Sequence, residues 1–106
     1  MYSIEDIGGI IRGVRMATRR FKIKAFLINC IYLAYLYHKK DTSMYMNRYV
    51  LNFSIAPISI YNNTAVLVKN GLIEKVSSGV YLFTTLGIDI CNYIDKQKEE
   101  NSSIKN

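Results

Sequence analysis

The sequence predicts a mainly helical fold of the α+β class, with one small β-hairpin in its C-terminal half. Apolar residues recur every three or four positions from Ile4 to Arg20, which is the spacing of one face of an α-helix. Residues 25–37 form an almost unbroken apolar run that suits a buried helix. From residue 72 onward, two short apolar segments flank a glycine-containing turn, so the periodicity changes from that of a helix to that of a strand.

The length and composition fit one small domain. The chain has 106 residues, half of them hydrophobic and 21% charged, which excludes disordered and collagen-like proteins. A single histidine and two distant cysteines provide neither a set of zinc ligands nor a Ser-His-Asp arrangement. We therefore expect no metal, no cofactor and no enzymatic activity.

Residues 25–37 (AFLINCIYLAYLY) are the one segment that resembles a membrane span. The run has about 13 residues and includes Asn29, whereas a transmembrane helix needs about 20 apolar residues. No small-residue cleavage site follows the run, so a signal peptide is not predicted either. We expect a helix buried on nearly all sides, reduced cysteines (Cys30 and Cys91) in the core, and a cytoplasmic location.

Positive charge is concentrated in the N-terminal part of the chain. The net charge is +6, and residues 7–40 contain eight basic residues and no acidic one. Such a density suits a polyanionic partner, because lysine and arginine release the counterions that surround phosphates. A solvated helix face that only keeps the protein soluble explains the charge equally well.

Local signals place two further helices before the hairpin. The first two helices span residues 4–20 and about 20–38, and the cluster Asp41-Thr42-Ser43 then caps a short third helix. Pro57 suits the first turn of a fourth helix, which continues to about Asn70 and ends at Gly71. The hairpin follows, with its turn at Ser77-Ser78-Gly79, and a last helix comes after it.

These elements form a single predicted domain over residues 1–96. We assign 1–40 to the N-terminal helices, 41–84 to a helix-turn-helix with its hairpin, and 85–96 to a C-terminal helix. The polar residues 97–106 are expected to be a disordered tail.

Two short helices joined by a tight break and followed by a hairpin are the layout of a winged helix-turn-helix. Three motifs lie within residues 42–94, roughly half of the chain: Tyr49-Val50-(two residues)-Phe53-Ser54-Ile55-Ala56-Pro57, Leu67-Val68-Lys69-Asn70-Gly71-Leu72-Ile73 and Phe83-Thr84-(two residues)-Gly87. In order and spacing they resemble motifs of the MarR-like winged-helix transcriptional regulators. The resemblance implies a DNA-binding protein whose second short helix enters the major groove.

The predicted recognition helix has an inward side, with Ile60, Thr64 and Leu67, and an outward side. On the outward side, Asn62 is predicted to bind an adenine edge and Ala65 a thymine methyl group. The full predicted DNA-binding set is Ser59, Tyr61, Asn62, Ala65, Lys69, Lys75, Ser77 and Ser78. Four basic residues of the N-terminal part are predicted to add phosphate contacts: Arg15, Arg19, Arg20 and Lys22.

The sequence thus predicts a sequence-specific double-stranded DNA-binding protein that regulates transcription as a homodimer and has no membrane partner. So small a monomer does not easily bury a helix on all sides, and we expect the terminal helices to pair across a two-fold axis. Outward Ile58 and Val66 would also suit a winged helix that contacts protein and not DNA. The basic segment 12–24 would suit a peripheral membrane protein. The sequence identifies no effector ligand.

Overall fold

The computed structural model describes residues 4–47 and 60–105, and within them the side chains of residues 8–47 and 64–100. These residues form four helices and a small three-stranded antiparallel sheet, in agreement with the predicted α+β class. The helices are α1 (Ile4–Phe21), α2 (Ala25–Tyr37), α3 (Ile60–Lys69) and α4 (Thr85–Lys105), and the strands are β1 (Met46–Asn47), β2 (Ile73–Ser77) and β3 (Val80–Phe83).

Helix α2 lies at the centre of the core. It begins at Ala25 and not near Arg20, because Lys22 takes a left-handed conformation (φ 58°) that ends α1. Its exposed residues are confined to its ends, so the predicted burial is confirmed for Leu27, Ile28, Cys30, Ile31, Tyr32, Ala34 and Tyr35. Within the described ranges, every helix is too short or too polar to cross a bilayer.

Helices α1 and α4 pack against each other in antiparallel orientation. Gly13 faces Ile94, and a Cβ on Gly13 would lie only 2.8 Å from the Ile94 Cγ2 atom. One turn earlier in α1, Gly9 faces Lys98, which comes one turn later in α4. The absence of side chains at these two glycines lets the helix axes approach closely, and Val14 and Ala17 are buried beside them.

The hairpin is present as predicted, and a third strand extends it. Strand β3 is central, with β2 on one side and the short β1 on the other, where Met46 pairs with Tyr81. The β2–β3 register is irregular between Lys75 and Ser77, which leaves an extra residue on β2.

Strand β1 was not predicted, because Asp41-Thr42-Ser43 was interpreted as a helix cap. The Asp41 carboxylate instead accepts hydrogen bonds from the Ser43 N–H (3.0 Å) and hydroxyl (2.6 Å), which makes an exposed turn that leads into a strand. The predicted third helix, with Tyr49, Val50 and Phe53, and the predicted helix start at Pro57 lie outside the described residues.

The described end of α3 agrees with the prediction, whereas α4 is longer than predicted. Gly71 has φ 76°, the left-handed conformation that favours glycine after a helix. Helix α4 does not end near Lys96 but continues through Lys105, so residues 97–105 of the expected tail are helical. The helix keeps a packing partner beyond Lys96, because Lys98 contacts α1 at Gly9 and donates a hydrogen bond to the Tyr32 hydroxyl (3.2 Å).

Candidate nucleic-acid interface

The described side chains of α3 separate into a buried and an exposed side. Thr64 and Leu67 are buried, and Ala65 and Lys69 are exposed, as the helical periodicity predicts. Val66 differs from the prediction, because it is half-buried and packs against the core. Among the described side chains of this helix, Val68 is instead the exposed large apolar one, at 37% exposure.

A groove separates the exposed side of α3 from the hairpin. Its volume is about 430 Å³. Helix α3 contributes Thr64, Ala65 and Val68 to the walls, and the hairpin contributes Lys75, Ser78, Gly79 and Tyr81. Three residues predicted to bind DNA, Ala65, Lys75 and Ser78, are thus brought together although they are separated in sequence. We call this feature the α3–hairpin groove.

Hydrogen bonds join the end of α3 to the base of the hairpin. The Leu72 N–H donates to the Leu67 carbonyl of α3 (3.0 Å), and the Thr84 N–H donates to the Leu72 carbonyl (3.2 Å). The Thr84 hydroxyl donates to the Gly71 carbonyl and accepts from the Gly87 N–H (3.1 Å). The end of α3, both ends of the hairpin and the start of α4 therefore meet at one point.

The charges around the α3–hairpin groove are few. Among the residues that the structure describes, Lys75 is the only charged one in its wall. Lys69 is exposed in the last turn of α3, where a cation is favourable beside the helix dipole. Glu74 is exposed on β2 next to Lys75. Ser77 is exposed at the end of β2 but does not line the groove. Tyr61 and Asn62 belong to α3, outside the described side chains, and Ser59 lies outside the described residues.

The predicted phosphate contacts of the N-terminal part lie elsewhere. Arg15, Arg19, Arg20 and Lys22 are all exposed, as are Arg12 and Lys24. Arg15 and Arg19 line a second groove, between α1 and α2, and no described residue lines both this groove and the α3–hairpin groove. The Arg20 guanidinium lies over the Tyr93 ring, 5.3 Å from its centroid. The structure therefore does not bring these cations together with α3.

A polar network at the edge of the helical core was missed at the level of sequence. The Asp95 carboxylate accepts hydrogen bonds from the hydroxyls of Tyr32 (2.5 Å) and Tyr35 (2.9 Å), and Lys40 lies 3.0 Å from it. Lys98 adds a hydrogen bond to Tyr32. The sequence predicted only packing for these tyrosines. Their three-residue spacing on the most apolar helix was the available signal, because a buried tyrosine hydroxyl needs a partner.

The network shifts the titration of its members. Burial alone would raise the pKa of Asp95, but hydrogen bonds from Tyr32, Lys40 and Tyr35 outweigh it and hold the pKa below its ordinary value. Burial, and then the Asp95 carboxylate, raise the pKa of both tyrosines. These directions favour a charged carboxylate between two neutral phenols, which is a stable arrangement that joins α2 to α4.

The cysteines occupy the predicted core positions. Cys30 and Cys91 are both fully buried, and burial raises the pKa of the Cys30 thiol to about 12. Burial also raises the pKa of Cys91. A neutral, buried thiol is a poor nucleophile, so neither side chain is prepared for covalent chemistry.

No protein-family model matches the chain, and neither does any curated protein or solved structure. The similarity to MarR-like regulators therefore stays a prediction that rests on the three motifs.

Proposed function

We propose that this protein binds double-stranded DNA with α3 and the hairpin, and that it regulates transcription as a MarR-like winged-helix homodimer. The α3–hairpin groove is the observation that supports the proposal. It places a short helix with an exposed side next to a β-hairpin, and it unites Ala65, Lys75 and Ser78 from separate parts of the chain. In this proposal the protein is a cytoplasmic regulator and not an enzyme.

The dimensions of α3 suit the major groove of DNA. The described helix has ten residues, a length of about 15 Å, and the major groove is about 12 Å wide. Ala65 and Lys69 lie on its exposed side. In the bound state Ala65 contacts a thymine methyl group, and Asn62 pairs with an adenine edge.

The hairpin supplies contacts to the DNA backbone. Lys75, Ser77 and Ser78 are exposed around its turn, and side chains of these types bind phosphate oxygens without reading sequence. Because the base of the hairpin is hydrogen-bonded to the end of α3, the phosphate contacts set the position of α3 in the major groove.

The test uses DNA fragments selected from a genomic library and measures binding by fluorescence anisotropy at several salt concentrations. Each phosphate contact contributes about 0.9 to the slope of log affinity against log salt. Lys75→Ala should lower this slope by about 0.9 per copy and weaken all sequences alike. Lys96→Ala, on the exposed side of α4, is the matched control. Equal slopes for the two variants, or salt-independent binding by the wild type, would contradict the proposal.

A protein-binding winged helix is the second candidate. Val68 (37%) and Val76 (47%) are exposed on α3 and on the hairpin, and exposed apolar side chains are unusual for a surface that faces DNA. This alternative predicts a partner that stays bound after nuclease digestion and is lost in Val76→Ser.

A further inference from the structure

Helix α1 carries a second apolar surface, apart from the one buried in the core. Ile10, Val14 and Ala17 are buried, but Ile11 is 55% exposed. Ile4 precedes Ile11 by seven residues, so both positions lie along one side of α1. Gly8 lies between them, and a Cβ there would meet no atom within 4 Å. Another helix could therefore approach α1 closely at this point.

The exposed Ile11 borders the groove between α1 and α2, which we call the α1–α2 groove. Its volume is about 330 Å³. Ile11, Val14 and Thr18 of α1 and Ala25 and Asn29 of α2 line it, with Arg15 and Arg19 also in its wall. Among the described residues, the lining is mostly apolar and its charges are all positive. An occupant must supply both an apolar side chain and negative charge.

The charge order along α1 indicates which occupant fits. Its first turn contains Glu5 and Asp6, whereas Arg12, Arg15, Arg19 and Arg20 follow in the later turns. Positions 5, 12 and 19 are seven residues apart and share one side of the helix. If a second copy packs antiparallel about a two-fold axis near Ile11 and Arg12, position 5 of each copy lies beside position 19 of the other.

The two-fold arrangement brings opposite charges together twice and repeats the same apolar contact twice. A parallel arrangement would instead place like charges side by side. A membrane surface is a less suitable partner for α1. The other apolar side of this helix is buried against α4, so among the described side chains its exposed apolar surface is only a narrow strip at Ile11.

We propose that a second copy of this chain binds over the α1–α2 groove, with its α1 antiparallel to the first and each Ile11 seated in the groove of the other copy. This inference rests on the homodimer of the proposed function and names its surface. It replaces the expected pairing of both terminal helices across the axis, because α1 and α4 already pack on each other within one chain.

Sedimentation velocity of the full chain tests the surface. The wild type should dimerise, and Ile11→Glu should raise the dimer dissociation constant roughly 100-fold or more, since two apolar contacts become buried charges. Val76→Glu, an exposed apolar residue of the hairpin, is the matched control and should leave dimerisation unchanged. Thermal unfolding followed by circular dichroism verifies that each variant is folded.

A charge exchange tests the orientation. Arg19→Glu should weaken the dimer about tenfold, and adding Glu5→Arg should restore it. Three results would overturn the inference. They are a monomeric wild type, an Ile11→Glu variant that dimerises normally, and a charge exchange that does not restore the affinity of the dimer. DNA binding is read out separately. A monomer that binds DNA refutes only the dimer surface, and an Ile11-dependent dimer that binds no DNA refutes only the proposed function.

Discussion

The Asp95 carboxylate connects α4 to two other parts of the chain. Its carboxylate accepts hydrogen bonds from two tyrosine hydroxyls of α2 and pairs with Lys40, which lies in the connection after α2. Lys40 has φ 66°, and Lys39 before it has φ 53°. Two successive left-handed lysines are unfavourable by themselves, so the contact with Asp95 helps to hold this turn.

Asp95→Asn is expected to destabilise the protein. The amide keeps the volume of the carboxylate but loses its charge, and hydrogen bonds to a charged group contribute about 1–3 kcal/mol to the free energy of unfolding. Asp89→Asn changes an exposed carboxylate of the same helix and should alter stability by less than about 0.5 kcal/mol. Urea denaturation of both variants measures the difference, and equal midpoints would show that the network adds no stability.

The same carboxylate gives stability a defined pH dependence. Folding lowers the pKa of Asp95 below its value in the unfolded chain, which is about 3.9. The contribution of Asp95 to the free energy of unfolding is therefore complete above about pH 3.9, and it is lost as the pH falls through the lower pKa of the folded state. The tyrosines act in the opposite direction. Their raised pKa values make stability fall above about pH 10, where the unfolded phenols ionise first. Asp95→Asn should reduce the loss of stability at acidic pH, which urea denaturation at several pH values measures.

At the scale of elements, the junction between the hairpin and α4 is closely packed. Gly87 lies in the first turn of α4, directly against the Leu72 carbonyl at the start of the hairpin. A Cβ at this position would lie inside van der Waals contact with that oxygen, and the Thr84 N–H hydrogen bond holds the oxygen in place.

Gly87→Ala should therefore lower the free energy of unfolding by about 1–3 kcal/mol or more. A decrease in stability would be informative, because replacing glycine by alanine normally stabilises a helix by up to about 1 kcal/mol. Gly8→Ala, at a helical glycine with open space around it, should follow that normal trend. Thermal unfolding of both variants checks the comparison, and a stabilised Gly87→Ala would mean that the hairpin and α4 do not meet as described.

Several elements were predictable because their signals are local. The spacing of apolar residues identified α1, and the turn residues Ser77-Ser78-Gly79 identified the hairpin, since Gly79 takes the positive φ (74°) that the turn requires. Strand β1 was not predictable. It has only two residues, and it exists because Met46 pairs with Tyr81, a partner distant in sequence. The length of α4 was missed for the same reason, because its polar end is supported by contacts with α1 and Tyr32.

In the candidate site, too, local features were predictable and features that depend on distant elements were not. Periodicity placed Thr64 and Leu67 inward and Ala65 and Lys69 outward. It misplaced Val66, because the position of the core beside α3 depends on the sheet and not on the helix alone. The packing of elements that are distant in sequence could not be predicted in this way. It places Ala65, Lys75 and Ser78 in one groove, and Arg15 and Arg19 in another.

At the scale of the whole molecule, one core connects the helices to the sheet. Helix α2 contributes seven buried residues, and α1 and α4 pack around it. In hydrogen exchange, the α2 amides of Leu27, Ile28 and Ile31 should exchange only through global unfolding. Met46 and Asn47 of β1 should exchange with a smaller opening free energy, because two residues form only a short ladder. Faster exchange in α2 than in β1 would contradict this hierarchy.

The length of α4 has a mechanical consequence. Its 21 residues make a rod of about 31 Å that starts at the base of the hairpin and passes along α1. A tilt of 5° at one end of a rod of that length moves the other end by about 3 Å. Because the hairpin lies at one end of this helix and α1 packs along it, the orientation of α4 against α1 fixes the position of the hairpin to within a distance of that order.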